Sequence, residues 1–158
     1  MLVAAAAMLG SDGRVKAGFP LVDDEGRDIE VHPGGRFRTA FAIQVKVSTR
    51  LWRNYRSRHM RVSVRILPAN LISHDCYWYV FAYVERSLAS LNEYLFLVPS
   101  KVVHAHLGPP GRGGVRWLQF TANMEPDACD LWTPYRLRPG ELGQRLAELM
   151  RRVPKGFA

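Results

Sequence analysis

The sequence predicts an α/β fold, a mixed central sheet with helices packed against it, on three observations. Strand-like runs fill the middle of the chain, at 39–49, 60–66, 77–84 and 93–98. Helical patterns stand at both ends, at 2–9 and from 142 onward. Hydrophobic residues make up 47% of 158, ordinary for a globular chain and enough for one core. Strands in the middle and helices outside suit a layered sheet-and-helix packing. One domain spanning 1–158 is the simplest division, and no internal repeat is present.

Taken in order, residues 2–9 are good helix formers closed by Gly10. Arg14 to Val22 reads as a strand broken late by Pro20, followed by an acidic turn containing Asp23 and Asp24. Two strands follow at 27–32 and 39–48, joined by Pro33-Gly34-Gly35. Trp52 to Arg58 has no clear period. Met60, Val62, Val64 and Ile66 then alternate with Arg61, Ser63 and Arg65, which predicts a half-buried strand with an arginine face. Pro68 ends it, and Ala69 to His74 reads as a helical turn.

Tyr77 to Val84 is the most strand-like run and is placed centrally. Glu93 to Val98 is a buried strand, and Ser100 is the expected cap of a helix over Lys101 to His106. Gly108 to Gly114 is a loop before a strand at Val115 to Thr121. In the last helix Leu142, Leu146, Leu149 and Val153 recur at helical spacing, so one apolar stripe docks on the sheet.

The most informative stretch is 39–49, with Gln44-Val45-Lys46 at its centre. Its β-branched, apolar character predicts a strand buried on both faces. A lysine there needs a reason, because an unpaired buried ammonium costs several kcal/mol. Side chains alternate along a strand, so Gln44 and Lys46 share a face. Asp28 is an acid on the strand just upstream.

Asp28, a hairpin and then Gln44-x-Lys46 resembles the PD-(D/E)XK nuclease superfamily, in its Gln-x-Lys branch. Leu97-Val98-Pro99-Ser100 before a helix, and Trp132-x-x-Tyr135 ahead of the last helix, are similar to uncharacterised bacterial members. The resemblance implies a restriction-endonuclease-like mixed central sheet flanked by helices. It implies metal-dependent hydrolysis of phosphodiester bonds with Mg²⁺ or Mn²⁺. Asp28, Gln44 and Lys46 would be the catalytic residues. Asp28, the Gln44 side-chain carbonyl and the Val45 backbone carbonyl would hold the metal, and Lys46 would orient the attacking water.

The chain departs from that pattern twice. Gln44 is neutral where a Glu would add charge, and residues 1–11 contain no acid, although the superfamily often uses a helix-borne Glu. Glu30, two residues after Asp28, is the candidate substitute ligand. A rival reading keeps the fold but not the chemistry: Lys46 pairs structurally with Asp28 or Glu30, and the domain is a silent nucleic-acid-binding module.

Charge placement adds to this. The formal net charge is +8, and no Asp or Glu occurs from Val31 to His74. That interval holds Arg36, Arg38, Lys46, Arg50, Arg53, Arg56, Arg58, Arg61 and Arg65. The other 13 basic residues face 14 acidic ones, so the whole excess surrounds the proposed site. Such clustering attracts polyanions. The eight arginines are the expected nucleic-acid contacts, with DNA the expected partner. The alternative is a solvated arginine-rich hairpin. Trp52 and Tyr55 among these arginines would either stack on exposed bases or pack against the next strand.

Other motifs carry less. His104-x-His106 does not converge on a helix, and two ligands make no site. Ser73-His74-Asp75 is contiguous and reads as a turn or cap. Gly108 to Gly114 lacks the Lys-Ser/Thr of a phosphate loop. Cys76 and Cys129 lie near apolar residues and read as reduced core thiols. The opening apolar run lacks a charged start and falls short of the roughly 20 residues of a membrane helix. A cytoplasmic protein with no membrane partner is therefore expected. A homodimer would suit two-strand cleavage.

Overall fold

The computed structural model describes residues 1–20, 27–34, 41–54, 57–85, 87 and 90–152. Among these residues the protein is a mixed α/β structure with a six-stranded sheet, a three-stranded sheet and three α-helices. The helices are α1 (Leu2–Leu9), α2 (Ser100–Ala105) and α3 (Leu142–Arg152). The first strands are β1 (Val15–Gly18), β2 (Ile29–Pro33), β3 (Phe41–Ser48), β4 (Leu51–Asn54) and β5 (Ser57–Ile66). Later come β6 (Tyr77–Val84), β7 (Leu91–Pro99), β8 (Arg116–Asn123) and β9 (Arg136–Leu137). No helix among the described residues is long and apolar enough to cross a membrane.

The large sheet runs β1-β2-β3-β6-β7-β9, and the small one β4-β5-β8. Among the described strands of the large sheet, β3 and β6 pair in parallel and the other pairings are antiparallel. A parallel pair requires a crossover, usually helical. Here the β4–β5 hairpin fills it and recruits β8 to make the second sheet. Helices α1 and α3 cover one side of the large sheet, and the second sheet together with α2 covers the other.

Alternation decides which residues enter which layer. On β6, Val80 and Ala82 join α1 and α3, while Tyr77, Tyr79 and Phe81 meet the second sheet. The period-two pattern of β5 buries Met60, Val62, Val64 and Ile66. Phe81 and Phe120 of β8 stack face to face between the sheets, centroids 3.9 Å apart. On the helix side Leu142 and Leu146 are fully buried and Leu149 packs partly, while Val153 lies outside the described residues.

Several local expectations are corrected. Residues 52–58 are not irregular throughout, since β4 ends at Asn54 and β5 begins at Ser57. Between Pro68 and His74 only Pro68–Asn70 turns, as a single 3₁₀ turn. Ser100 is the first helical residue of α2 rather than its cap, because its hydroxyl is used by the His74 backbone N–H and C=O at 3.0 Å each. Both cysteines are free thiols, but Cys129 is exposed and not in the core.

Gly10 closes α1 without adopting a left-handed conformation, at φ −66°. Its lack of a side chain serves contact instead: a Cβ there would overlap the Gly140 carbonyl, and one on Gly143 would overlap the Ala7 carbonyl. Backbones of α1 and α3 therefore meet through small residues.

Candidate active site

The site is built where β2 runs out beside β3. Odd residues of β3 turn their backbone groups toward β2, as when the Ile43 carbonyl accepts the Asp28 N–H at 3.0 Å. Even residues face β6, as when the Ala42 N–H donates to the Cys76 carbonyl. Ile29 pairs with Ile43, so β2 ends before it can serve the Val45 N–H. The Asp28 carboxylate supplies the missing acceptor: its Oδ2 takes the Val45 N–H at 2.6 Å. The acid is thus tied to the Val45 backbone at the middle of the triplet; it lines a hollow on the helix side, whereas the Gln44 and Lys46 side chains look the other way.

Gln44 and Lys46 share the face of β3 that looks toward the second sheet, beside Tyr79 and Phe81 of β6. Gln44 is half-buried, and its Oε1 accepts a long bond of 3.4 Å from the Tyr77 hydroxyl. Lys46 is also half-buried. Among the described residues it has no hydrogen bond or ion pair, so the structural pairing with Asp28 or Glu30 is not formed. Glu30 lies level with Ala42, and its Oε1 is held by Arg27 Nη1 at 3.0 Å.

The strand is not buried on both faces throughout. Phe41 and Ile43 are buried, whereas Val45 is half-buried and Val47 is 52% exposed. The exposed end of β3 opens two hollows. One, of about 260 Å³, lies on the helix side and is apolar except for Asp28, with Val3, Phe19, Val45, Val47 and Leu91 around it. The other is an open groove of about 790 Å³ lined by Arg50, Arg53, Arg58, Tyr83, Glu85 and Asn92.

The arginine cluster divides around the second sheet. Arg50 and Arg53 are exposed at the groove. Arg58 makes a two-pronged pair with Glu125, at 3.0 and 3.3 Å, which holds the Glu125 carboxyl below its ordinary range. Arg61 and Arg65 point away from the groove, on the outer face of that sheet. Arg36, Arg38 and Arg56 lie outside the described residues, as do Asp23, Asp24 and Tyr55.

A polar chain behind Gln44 was not legible in the sequence. Ser73 Oγ lies 2.6 Å from His104 Nδ1, and His104 Nε2 lies 3.1 Å from the Tyr79 hydroxyl. Tyr79 in turn hydrogen-bonds Tyr77, which reaches Gln44. Burial, then Arg116, pushes the His104 pKa down, and burial pushes Tyr79 up. Tyr77, Tyr79 and His104 come together from 77–79 and 104 because β6 and α2 abut. Alternation along β6 is the one signal that would have put Tyr77 and Tyr79 on one face.

Asp28, Gln44 and the Val45 carbonyl are oxygen donors of the type a hard divalent cation takes, and among the described residues Asp28 and Val45 are the pair joined directly, through the Val45 N–H. No group of three or more His, Cys, Asp or Glu side chains converges among the described residues. The protein is thus a mixed α/β structure in which Asp28 closes a strand end against the Val45 amide. Compared with protein-family models, with curated proteins and with solved structures, the chain matches none.

Proposed function

We propose that this chain is a metal-dependent nuclease of restriction-endonuclease-like architecture, hydrolysing phosphodiester bonds in DNA. The observation that carries the reading is the Asp28 Oδ2 to Val45 N–H bond, which ties the acid to the Gln44–Lys46 triplet. The antiparallel β1-β2-β3 run followed by the parallel β3–β6 pair agrees with it, as does the arginine-lined groove beyond β3.

Asp28, Gln44 and Val45 would hold Mg²⁺ or Mn²⁺, which supplies Lewis acidity and lowers the pKa of bound water. The second Asp28 oxygen is the anionic donor, and Gln44 Oε1 keeps a lone pair beyond its weak bond to Tyr77. Lys46, without a partner among the described residues, orients water and offsets developing negative charge. Arg50 and Arg53 hold backbone phosphates at the groove.

A second reading, the silent nucleic-acid-binding module, is favoured by two observations. One Asp28 oxygen already serves the backbone, and no further acid joins the site among the described residues. Incubation of plasmid, branched and single-stranded DNA with Mg²⁺ or Mn²⁺ separates the two. Cleavage that vanishes in Lys46→Ala while DNA binding persists supports the enzyme. Binding without cleavage of any substrate by the wild type supports the module.

A further inference from the structure

The outer face of the second sheet is not explained by hydrolysis at Asp28. Its inner face is core, but its outer face leaves two tryptophans in solvent, Trp52 on β4 and Trp117 on β8, each 54% exposed. Arg61 lies 4.9 Å from the Trp52 ring centroid, and Arg65 lies 5.9 Å from that of Trp117. Among the described residues neither arginine has a hydrogen bond or ion pair. The residues sharing this face are otherwise polar, such as Ser63, Gln119 and Thr121, and none is acidic.

A sheet surface kept only for solubility would mix charges of both signs and hide large indoles. This one concentrates unneutralised cations beside reachable aromatic faces. Trp52 pairs with His59 and Trp117 with Arg65, at opposite ends and opposite flanks of β5. At about 3.4 Å per residue they are some 20 Å apart along that strand. That diagonal spans several nucleotides, within the roughly 4–16 engaged by sheet platforms of this kind.

We propose that Trp52, Arg61, Arg65 and Trp117 form a stacking platform for single-stranded nucleic acid. Bases stack on the indoles, and the two guanidinium groups neutralise phosphates or extend the stack. Duplex is excluded from the indoles because its bases are stacked on one another. The platform shares with the nuclease reading only the class of partner, and it does not require cleavage.

Fluorescence anisotropy with labelled oligo-dT, oligo-U and a duplex of equal length, all in EDTA, tests the platform apart from hydrolysis. The expected result is single-strand binding that quenches tryptophan fluorescence and weakens as salt rises. Trp52→Ala and Trp117→Ala should each weaken it about tenfold or more. Trp→Phe at either position should keep most of it, and Lys46→Ala should leave it unchanged. Binding of either oligomer in this pattern supports the platform, the two telling DNA from RNA. Unchanged single-strand affinity in a folded Trp52→Ala/Trp117→Ala variant overturns it while leaving cleavage at Lys46 as a separate result. Wild type that binds only duplex also overturns it.

Discussion

Asp28 Oδ2 and the Val45 amide, 2.6 Å apart, place one carboxylate in two roles. It completes the backbone ladder where β2 stops, and it is the carboxylate of the proposed metal site. A strand end that leaves an N–H without a partner is costly, so an acceptor at this position has a structural reason of its own.

Asparagine and alanine at position 28 therefore separate the roles. Asp28→Asn keeps an acceptor oxygen for the Val45 N–H, and its loss of stability in urea should stay below about 1 kcal/mol. Asp28→Ala leaves the amide unserved and should cost about 1–3 kcal/mol. Under the nuclease reading both variants lose cleavage alike, because each lacks the anionic ligand. Equal stability losses in the two would contradict the backbone role.

His104 gives the fold a pH dependence of known sign. Burial lowers its folded pKa beneath the ordinary 6.5, and it sits among Ser73, Tyr79 and Arg116 without a carboxylate partner among these contacts. As pH falls below about 6.5 the unfolded chain takes up a proton that the folded one resists. Stability should therefore fall between pH 7.5 and 5.5. Urea midpoints across that range check it, and His104→Gln should flatten the slope. A midpoint rising toward pH 5.5 would reverse the assignment.

Gly143 tests close packing against helix propensity. Alanine in a helix interior is favoured over glycine by about 1 kcal/mol. At Gly143 the added Cβ meets the backbone of Ala7, Gly10 and Ser11, which cannot move aside as a side-chain tip could. Overlap should win, with a net loss of about 2 kcal/mol and a melting temperature lower by about 4–8 °C. Gly140→Ala, with nothing near its Cβ, is the control and should change little.

Much of the fold was legible because period is local. The alternation of Met60, Val62, Val64 and Ile66 with Arg61, Ser63 and Arg65 specified a strand and both of its faces. The leucine spacing in α3 specified its buried stripe in the same way. Asp28 and Gln44-Val45-Lys46 could be singled out because strand geometry puts i and i+2 on one face.

What lay beyond the sequence was partnership between distant segments. No local pattern says that a hairpin, not a helix, fills the β3–β6 crossover, since either can follow a strand. Trp52 and Trp117 are 65 positions apart and meet on one face only because β5 pairs with both their strands. Likewise, only the end of β2 beside β3 decides that Asp28 serves the Val45 amide. Side-chain periodicity follows from the geometry of a single strand. Pairing and register come from burying many faces at once, and that balance exists only in the assembled chain.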